Sequence, residues 1–128
     1  MKSLILALTL LAGAGSADPG RDSARELAIG RERAAGTRVE YYAKQNIIAE
    51  RDRVTAQIAI AMTNARWNEA VRQGHPRDAG YWAKRHSDAL AAAREARQRA
   101  VDSRAALAEA RAAFEVSAAE VRRLRRPG

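Results

Sequence analysis

The pattern of apolar and polar residues is most regular in the C-terminal half of the chain. Between residues 86 and 124, two positions in every seven never carry a charged side chain. A strict seven-residue repeat predicts a helix that supercoils left-handedly against a partner helix. Because most of these residues are alanine or serine, we expect the two helix axes to approach closely. The first position is held by His86, Ala93, Ala100, Leu107, Phe114 and Val121, and the second by Ala89, Ala96, Ser103, Ala110, Ser117 and Leu124.

The N-terminal half has a looser helical pattern. Apolar residues recur at helical spacing from Thr37 onward, but we find no single seven-residue frame that carries all of them. Four charged residues, 50–53, interrupt this stripe. We interpret them as a solvated, self-paired helix face, and the alternative is a recognition patch. The stripe consists of Val39, Tyr42, Ile47, Ile48, Val54, Ile58, Ala61, Met62 and Ala65.

The start of the first helix is less well defined. Ser23 with Glu26 has the spacing of a capping box, and Asp22 is the other candidate cap. Gly30 and Gly36 each weaken a helix by about 1 kcal/mol relative to alanine. A break near residues 30–36 is therefore an open alternative.

The strongest break in the pattern is Gly74-His75-Pro76. Glycine suits a helix C-cap because it accepts a positive φ angle, and proline cannot continue the incoming helix but tolerates a helix start. Asp78 is an alternative cap for the second helix. The sequence therefore predicts an all-α fold, a long antiparallel two-helix hairpin of the Ala-rich coiled-coil type. Its turn lies at residues 74–76, and its arms span about 23–73 and 77–124.

Aromatic and histidine residues flank this turn. Trp67 and Trp82 should lie at the same height and form an aromatic cluster with Tyr81, which we interpret as a clasp that fixes the register of the hairpin. A contact patch for a partner or a glycan is the alternative. His75 is interpreted as a turn residue and His86 as a seam residue. They are about 15 Å apart along a helix, too far to share a metal, and pH sensing is their alternative role.

The first residues have the pattern of a secretory signal peptide. A basic start at Lys2 precedes an apolar run over residues 3–11 and a series of small residues. The apolar run is shorter than the roughly 20 residues of a membrane span. We expect residues 1–17 to be a cleaved signal, 18–22 a short linker and 23–126 the hairpin; cleavage after Ala14 also satisfies the pattern. The mature protein would then be periplasmic or secreted, from a bacterium, without a transmembrane span; an uncleaved anchor is the alternative.

Composition narrows the chemistry further. The chain has 23 Lys+Arg against 15 Asp+Glu, and it has no cysteine. The sequence therefore offers no disulfide, thiolate metal site, cysteine nucleophile or lipidated cysteine. Its two histidines lack the spacing of a metal site, and its glycines form no phosphate-binding loop. We expect no enzyme, no cofactor and no metal site.

Two surfaces are candidates for partner binding. If the first helix frays before Thr37, the large seam residues near the C-terminus would be exposed for a protein partner or for self-association. These are Leu107, Phe114, Val121 and Leu124. The second candidate is a set of arginines that would bind anions, with anionic lipid favoured for an exported protein and no pattern for specific reading of nucleic-acid bases. For the terminal ones, a favourable contact with the helix dipole is the simpler explanation. These are Arg97, Arg104, Arg111, Arg122, Arg123, Arg125 and Arg126.

One stretch resembles known proteins. Residues 65–96 alternate alanines around a glycine turn, as Ala-Arg-Trp-Asn-Glu-Ala-Val-Arg-Gln-Gly-His-Pro-Arg-Asp-Ala-Gly-Tyr-Trp-Ala-Lys-Arg-His-Ser-Asp-Ala-Leu-Ala-Ala-Ala-Arg-Glu-Ala. This resembles the Ala-rich helical hairpins of small bacterial envelope proteins of unknown function, some of which accompany outer-membrane peptidoglycan-binding domains. It is also similar to a single tetratricopeptide-like hairpin. The resemblance implies an envelope protein and carries over no functional residue. Many such proteins look like lipoproteins, whereas this chain lacks the lipidation cysteine.

These observations favour a non-enzymatic, exported coiled-coil protein that acts through protein–protein contacts, as an envelope scaffold, adaptor or chaperone-like subunit. The alternative is a basic anion-binding protein that contacts lipid phosphate or nucleic acid through its arginine rows. Ionic strength separates the two, because anion binding falls steeply with added salt and apolar docking does not.

Overall fold

A computed structural model describes residues 19–126 of the chain. They form two helices, α1 (Pro19–Arg72) and α2 (Pro76–Arg125), packed antiparallel as a hairpin. The predicted all-α helical hairpin is therefore confirmed. The predicted signal peptide lies outside the described residues.

Contacts divide the described residues into two compact units. The tip unit consists of residues 41–108, and the terminal unit consists of residues 19–40 together with 109–126. Each unit contains a segment of α1 and a segment of α2, and each is described by itself below.

The turn of the tip unit is a glycine-capped helix end. Gly74 has a φ angle of 69°, in the left-handed region that favours glycine. Its N–H donates to the Val71 carbonyl at 3.1 Å, and the His75 N–H donates to the Ala70 carbonyl at 3.0 Å. This pair of bonds defines a Schellman motif. The predicted C-cap role of Gly74 is confirmed.

The second helix starts directly after this motif. The Ala79 N–H donates to the His75 carbonyl at 2.9 Å, which makes His75 the capping residue of α2. Pro76 is the first helical residue, where its missing N–H costs nothing. Asp78 lies in the first turn, so the alternative of Asp78 as the cap is wrong. Its charge there still favours the helix dipole.

The start of α1 differs from the prediction. The helix begins at Pro19 rather than near residue 23, so Asp22 lies in the first turn and Ser23 is already helical. Neither is the cap. Proline suits the first position of a helix because its φ angle is already helical.

The helix α1 is also continuous through Gly30 and Gly36, so the alternative of a break at 30–36 is wrong. Tertiary packing offsets the low helix propensity of glycine here. Ala28 and Ala35 are buried, and a Cβ atom at Gly36 would lie 3.6 Å from Cε2 of Phe114. Gly36 thus lies against the Phe114 ring of α2, at a distance where an added Cβ atom would make an ordinary contact.

The predicted seam of α2 is confirmed by burial. All twelve predicted positions, from His86 to Leu124, are buried or half-buried. Ala100 is fully covered and Ala96 is 2% exposed. Small side chains at these positions permit the close helix approach that the repeat predicted.

The seam of α1 differs from the apolar stripe found in the sequence. As predicted, no single seven-residue frame carries all nine stripe residues, and the frame that packs on α2 consists mostly of small or polar residues. Of the nine residues in the predicted stripe, only Val39 and Tyr42 belong to it. The frame consists of Ala28, Ala35, Tyr42, Ala49, Ala56, Thr63 and Ala70 at one position, and of Glu32, Val39, Asn46, Arg53, Ile60 and Trp67 at the other, all buried or half-buried.

The remaining large residues of the stripe face solvent. We call Ile47, Ile48, Val54, Ile58 and Met62 the outer face of α1; each is 48–63% exposed. Most seam positions of α1 hold small or polar residues, and Val39 and Ile60 are the β-branched exceptions. The five residues of the outer face fall outside this frame and therefore remain exposed.

The turn yields a stability prediction. Gly74→Ala should lower the free energy of unfolding by about 1–2 kcal/mol, because a Cβ atom disfavours the left-handed conformation. Gly80→Ala is the matched control. A Cβ atom at Gly80 meets nothing within 4 Å, so this change should raise the free energy of unfolding by up to about 1 kcal/mol. Denaturant unfolding checks both, and a Gly74→Ala chain as stable as Gly80→Ala would contradict the capping role.

Candidate interaction surfaces

A polar contact joins the two helices near the tip. The Thr63 hydroxyl donates to the Ala59 carbonyl at 2.7 Å, and its oxygen lies 3.1 Å from Nδ1 of His86. Since the single hydroxyl hydrogen is used, the arrangement fits a histidine tautomer with its hydrogen on Nδ1. The Trp67 ring packs over the same histidine, with 5.7 Å between ring centroids. The prediction of His86 as a seam residue is confirmed.

This contact replaces the clasp expected between two tryptophans. Trp67 packs on His86, whereas Trp82 packs edge-on against Tyr81 with ring centroids 5.1 Å apart. The Arg66 guanidinium lies 5.8 Å from the Trp82 ring centroid. Of the predicted aromatic cluster, Tyr81 and Trp82 do contact each other, whereas Trp67 packs on His86 instead.

Charged residues in the middle of α1 form a second link between the helices. The Glu50 carboxylate accepts hydrogen bonds from Arg53 Nε at 2.9 Å and from Arg104 Nη2 at 2.8 Å. The pKa of Glu50 is held below its ordinary value mainly by the hydrogen bond from Arg53 and next by that from Arg104. The 50–53 segment is thus partly self-paired, as predicted, and it also binds α2.

The predicted arginine row is consequently divided. Arg104 is held by Glu50, while Arg97 and Arg111 are exposed on the same side of α2. The Glu50–Arg104 pair cannot be predicted from the sequence alone, because it depends on the register between the helices. The acidic partner lies 54 positions away along the chain.

The C-terminal arginines lie where α2 ends. Arg122, Arg123, Arg125 and Arg126 are exposed, and Arg123 lies 3.6 Å from Glu120. The prediction that they form a basic cluster at the end of a helix agrees with this placement.

Two arginines of α1 also reach this helix end within the terminal unit. Arg25 donates to the Leu124 carbonyl at 3.1 Å, and Arg21 donates to the Arg126 carbonyl. They satisfy carbonyl groups that have no partner within α2 itself. Neither residue was identified from the sequence, since their role depends on where the two termini meet.

The predicted docking row is covered in this structure. Leu107 is 5% exposed, Val121 is 2% exposed, and Phe114 and Leu124 are half-buried. The expectation of an exposed row required a frayed α1, and α1 is continuous from Pro19. These side chains are thus covered by packing within the hairpin. Partner binding through them stays a prediction, and no exposed surface supports it.

The outer face of α1 is an exposed apolar surface, and its residues belong to the helical stripe found in the sequence, for which no binding role was predicted. Its five residues are spread over 16 positions of the tip unit. The twelve residues 54–65 contain no charged side chain. Contiguous exposed apolar groups on a folded protein often mark interaction sites. The sequence does indicate this face, because these apolar residues lie outside the seven-residue frame that contains the alanines of α1.

Other features of the described residues are minor. A shallow, open, mainly apolar groove lies at the turn, lined by Ala70, Val71, Gly74, His75, Pro76 and Ala79. No three histidine or acidic side chains within residues 19–126 are placed to hold a metal ion. No helix in this range has the length and hydrophobicity needed to cross a membrane.

Comparisons of the chain with protein-family models, curated proteins and solved structures gave no significant match. The resemblance over residues 65–96 therefore stays an expectation.

The Glu50 contacts yield a titration prediction. The Glu50 carboxyl should titrate below an ordinary glutamate, and Arg53→Ala or Arg104→Ala should raise its pKa. Because the folded-state pKa is the lower one, these contacts stabilise the fold above the unfolded-state pKa. That stabilisation should be lost as pH falls through the folded-state pKa. NMR titration of the carboxyl carbon checks this, with Arg97→Ala as the control. A Glu50 pKa at or above the ordinary value would contradict the assignment.

Proposed function

We propose that this chain is a non-enzymatic, exported coiled-coil protein that acts through protein–protein contacts, as a scaffold, adaptor or chaperone-like subunit of the bacterial envelope. Export is supported by the signal-peptide pattern of residues 1–17. The observation that carries the proposal is the outer face of α1, where five large apolar side chains are exposed on one helix.

These side chains contribute little to the hairpin itself. The packing between α1 and α2 in the tip unit uses Ala49, Ala56 and Thr63, while Ile47 and Ile58 remain 60% and 63% exposed. Covering one such side chain stabilises a complex by about 1.5–3 kcal/mol when burial is complete. A partner that covers the face would gain this stabilisation without any rearrangement of the seam.

The geometry supports an enzymatic function less than it supports protein–protein contacts. The groove at the turn is shallow and open, whereas substrate sites are generally concave and enclose their ligand. The lowered pKa of Glu50 is explained by its two arginine partners, which form a structural ion-pair network.

Anion binding is a second candidate, supported by one observation. Arg122, Arg123, Arg125 and Arg126 are all exposed at the end of α2. Such a cluster would attract lipid phosphate, and its binding would weaken steeply as ionic strength rises. Binding of anionic vesicles that persists in high salt would count against this candidate.

The proposed function predicts the effect of one substitution. Ile58→Lys should reduce partner binding about tenfold or more, because it removes an apolar contact and places a charge in the interface. The free energy of unfolding should change by less than about 0.5 kcal/mol, since the site is exposed. A photo-crosslinking residue at Ile48, with or without Ile58→Lys, measures the binding in the host.

Val116→Lys is the matched control for this experiment. Val116 is likewise β-branched and exposed, at 70%, but it lies on α2 in the terminal unit. We expect it to leave the crosslinked product unchanged. Equal losses with both substitutions, or no product in either case, would contradict the role of the outer face.

A further inference from the structure

We infer that the outer face of α1 binds a second copy of the same face in antiparallel orientation. The inference rests on the proposed function, that this face makes protein contacts, and names the partner. It is distinct from the row of seam residues near the C-terminus, which intramolecular packing covers.

The outer face has a seven-residue repeat of its own. Six of its positions follow one another at alternating spacings of four and three residues, which is the spacing of a coiled-coil seam. Each position would contribute one side chain to a layer of the contact between two helices. They lie opposite the frame that packs on α2, because they are offset from it by half a helical turn. These positions are Ile47, Arg51, Val54, Ile58, Ala61 and Ala65, all exposed.

The central part of this second seam is free of charge. Between residues 54 and 65 the face extends about 17 Å along the helix, from the rise of 1.5 Å per residue. Exposed Met62 widens it on one side. An uncharged strip of this kind suits another apolar helix better than it suits water.

The charges around the strip select the orientation. In a parallel pair in register, Arg51 of one copy would share a layer with Arg51 of the other, and Lys44 would face Lys44. Like charges in one layer destabilise a helix pair. In an antiparallel pair, Arg51 faces Ala61 instead, and its aliphatic stem can cover the alanine.

The same antiparallel register gives complementary layers elsewhere. Ile47 faces Ala65, so a large side chain meets a small one. Val54 faces Ile58, so two β-branched side chains meet. This arrangement places the two-fold axis near residue 56.

A lysine flanks one end of the face and a glutamate the other. Lys44 lies just before Ile47, and Glu69 lies shortly after Ala65, while the intervening Arg66 lies over the Trp82 ring of its own chain. The Glu69 carboxylate accepts hydrogen bonds from Gln73 at 2.8 Å and from Arg72. Its two oxygens have further acceptor capacity. Antiparallel pairing would bring Lys44 of one copy to Glu69 of the other, once at each end.

Engineered cysteines test the pairing directly, because the chain has none of its own. We expect a mixture of Ile47→Cys and Ala65→Cys chains to form the mixed disulfide under mild oxidation. Each variant alone should form little disulfide, because its two cysteines would be about 27 Å apart along the helix. Rapid disulfide formation by Ile47→Cys alone would indicate a parallel pair and overturn the inference.

Sedimentation equilibrium of the whole chain provides the second measurement. We expect a concentration-dependent dimer whose dissociation constant rises about tenfold or more with Ile58→Lys. Val116→Lys should leave it unchanged. A chain that stays monomeric at high concentration, or that binds vesicles or another protein through Ile58 without dimerising, would overturn the inference. Crosslinking of another protein in the host would then still support the proposed function, so the two failures are distinguishable.

Discussion

Close contact between small side chains of α1 and α2 is the constraint on which the rest of the structure depends. Ala100 is fully covered and Ala96 nearly so, although each buries little area. Their stabilisation comes from dense packing between helices that approach closely, and a large residue in such a layer would force the helices apart. In the terminal unit, the large residue Phe114 lies against the small residue Gly36.

An alanine seam specifies close packing but not register, because a slip of seven residues leaves nearly the same surfaces in contact. Polar contacts in the tip unit remove this ambiguity. Thr63 meets His86, and Glu50 meets Arg104, each at one position only. Polar residues within coiled-coil seams have this role in general, at some cost in stability. The same seam leaves five large apolar side chains of α1 on the outside, where they form the surface proposed for protein contacts.

The sequence predicts those parts of the structure that depend on local chemistry or on a strict repeat. The Gly74 cap and the seam of α2 belong to this class. The seam of α1 does not, because hydrophobicity favours Ile47 and Ile58, whereas the geometry of an alanine partner favours Ala49 and Ala56. Continuity through Gly30 and Gly36 depends on tertiary packing. The covered Leu107–Leu124 row follows from that continuity, and the partner of Arg104 follows from the register.

The face of α1 that packs on α2 can be measured directly by disulfide formation within one chain. Asn46 and Ser103 face each other, with Oδ1 and Oγ 3.4 Å apart, while Ile48 lies on the outer face. At low protein concentration, Asn46→Cys with Ser103→Cys should form an intramolecular disulfide rapidly, and Ile48→Cys with Ser103→Cys should not. The reverse result would show that the large apolar side chains, rather than the small and polar ones, form the seam.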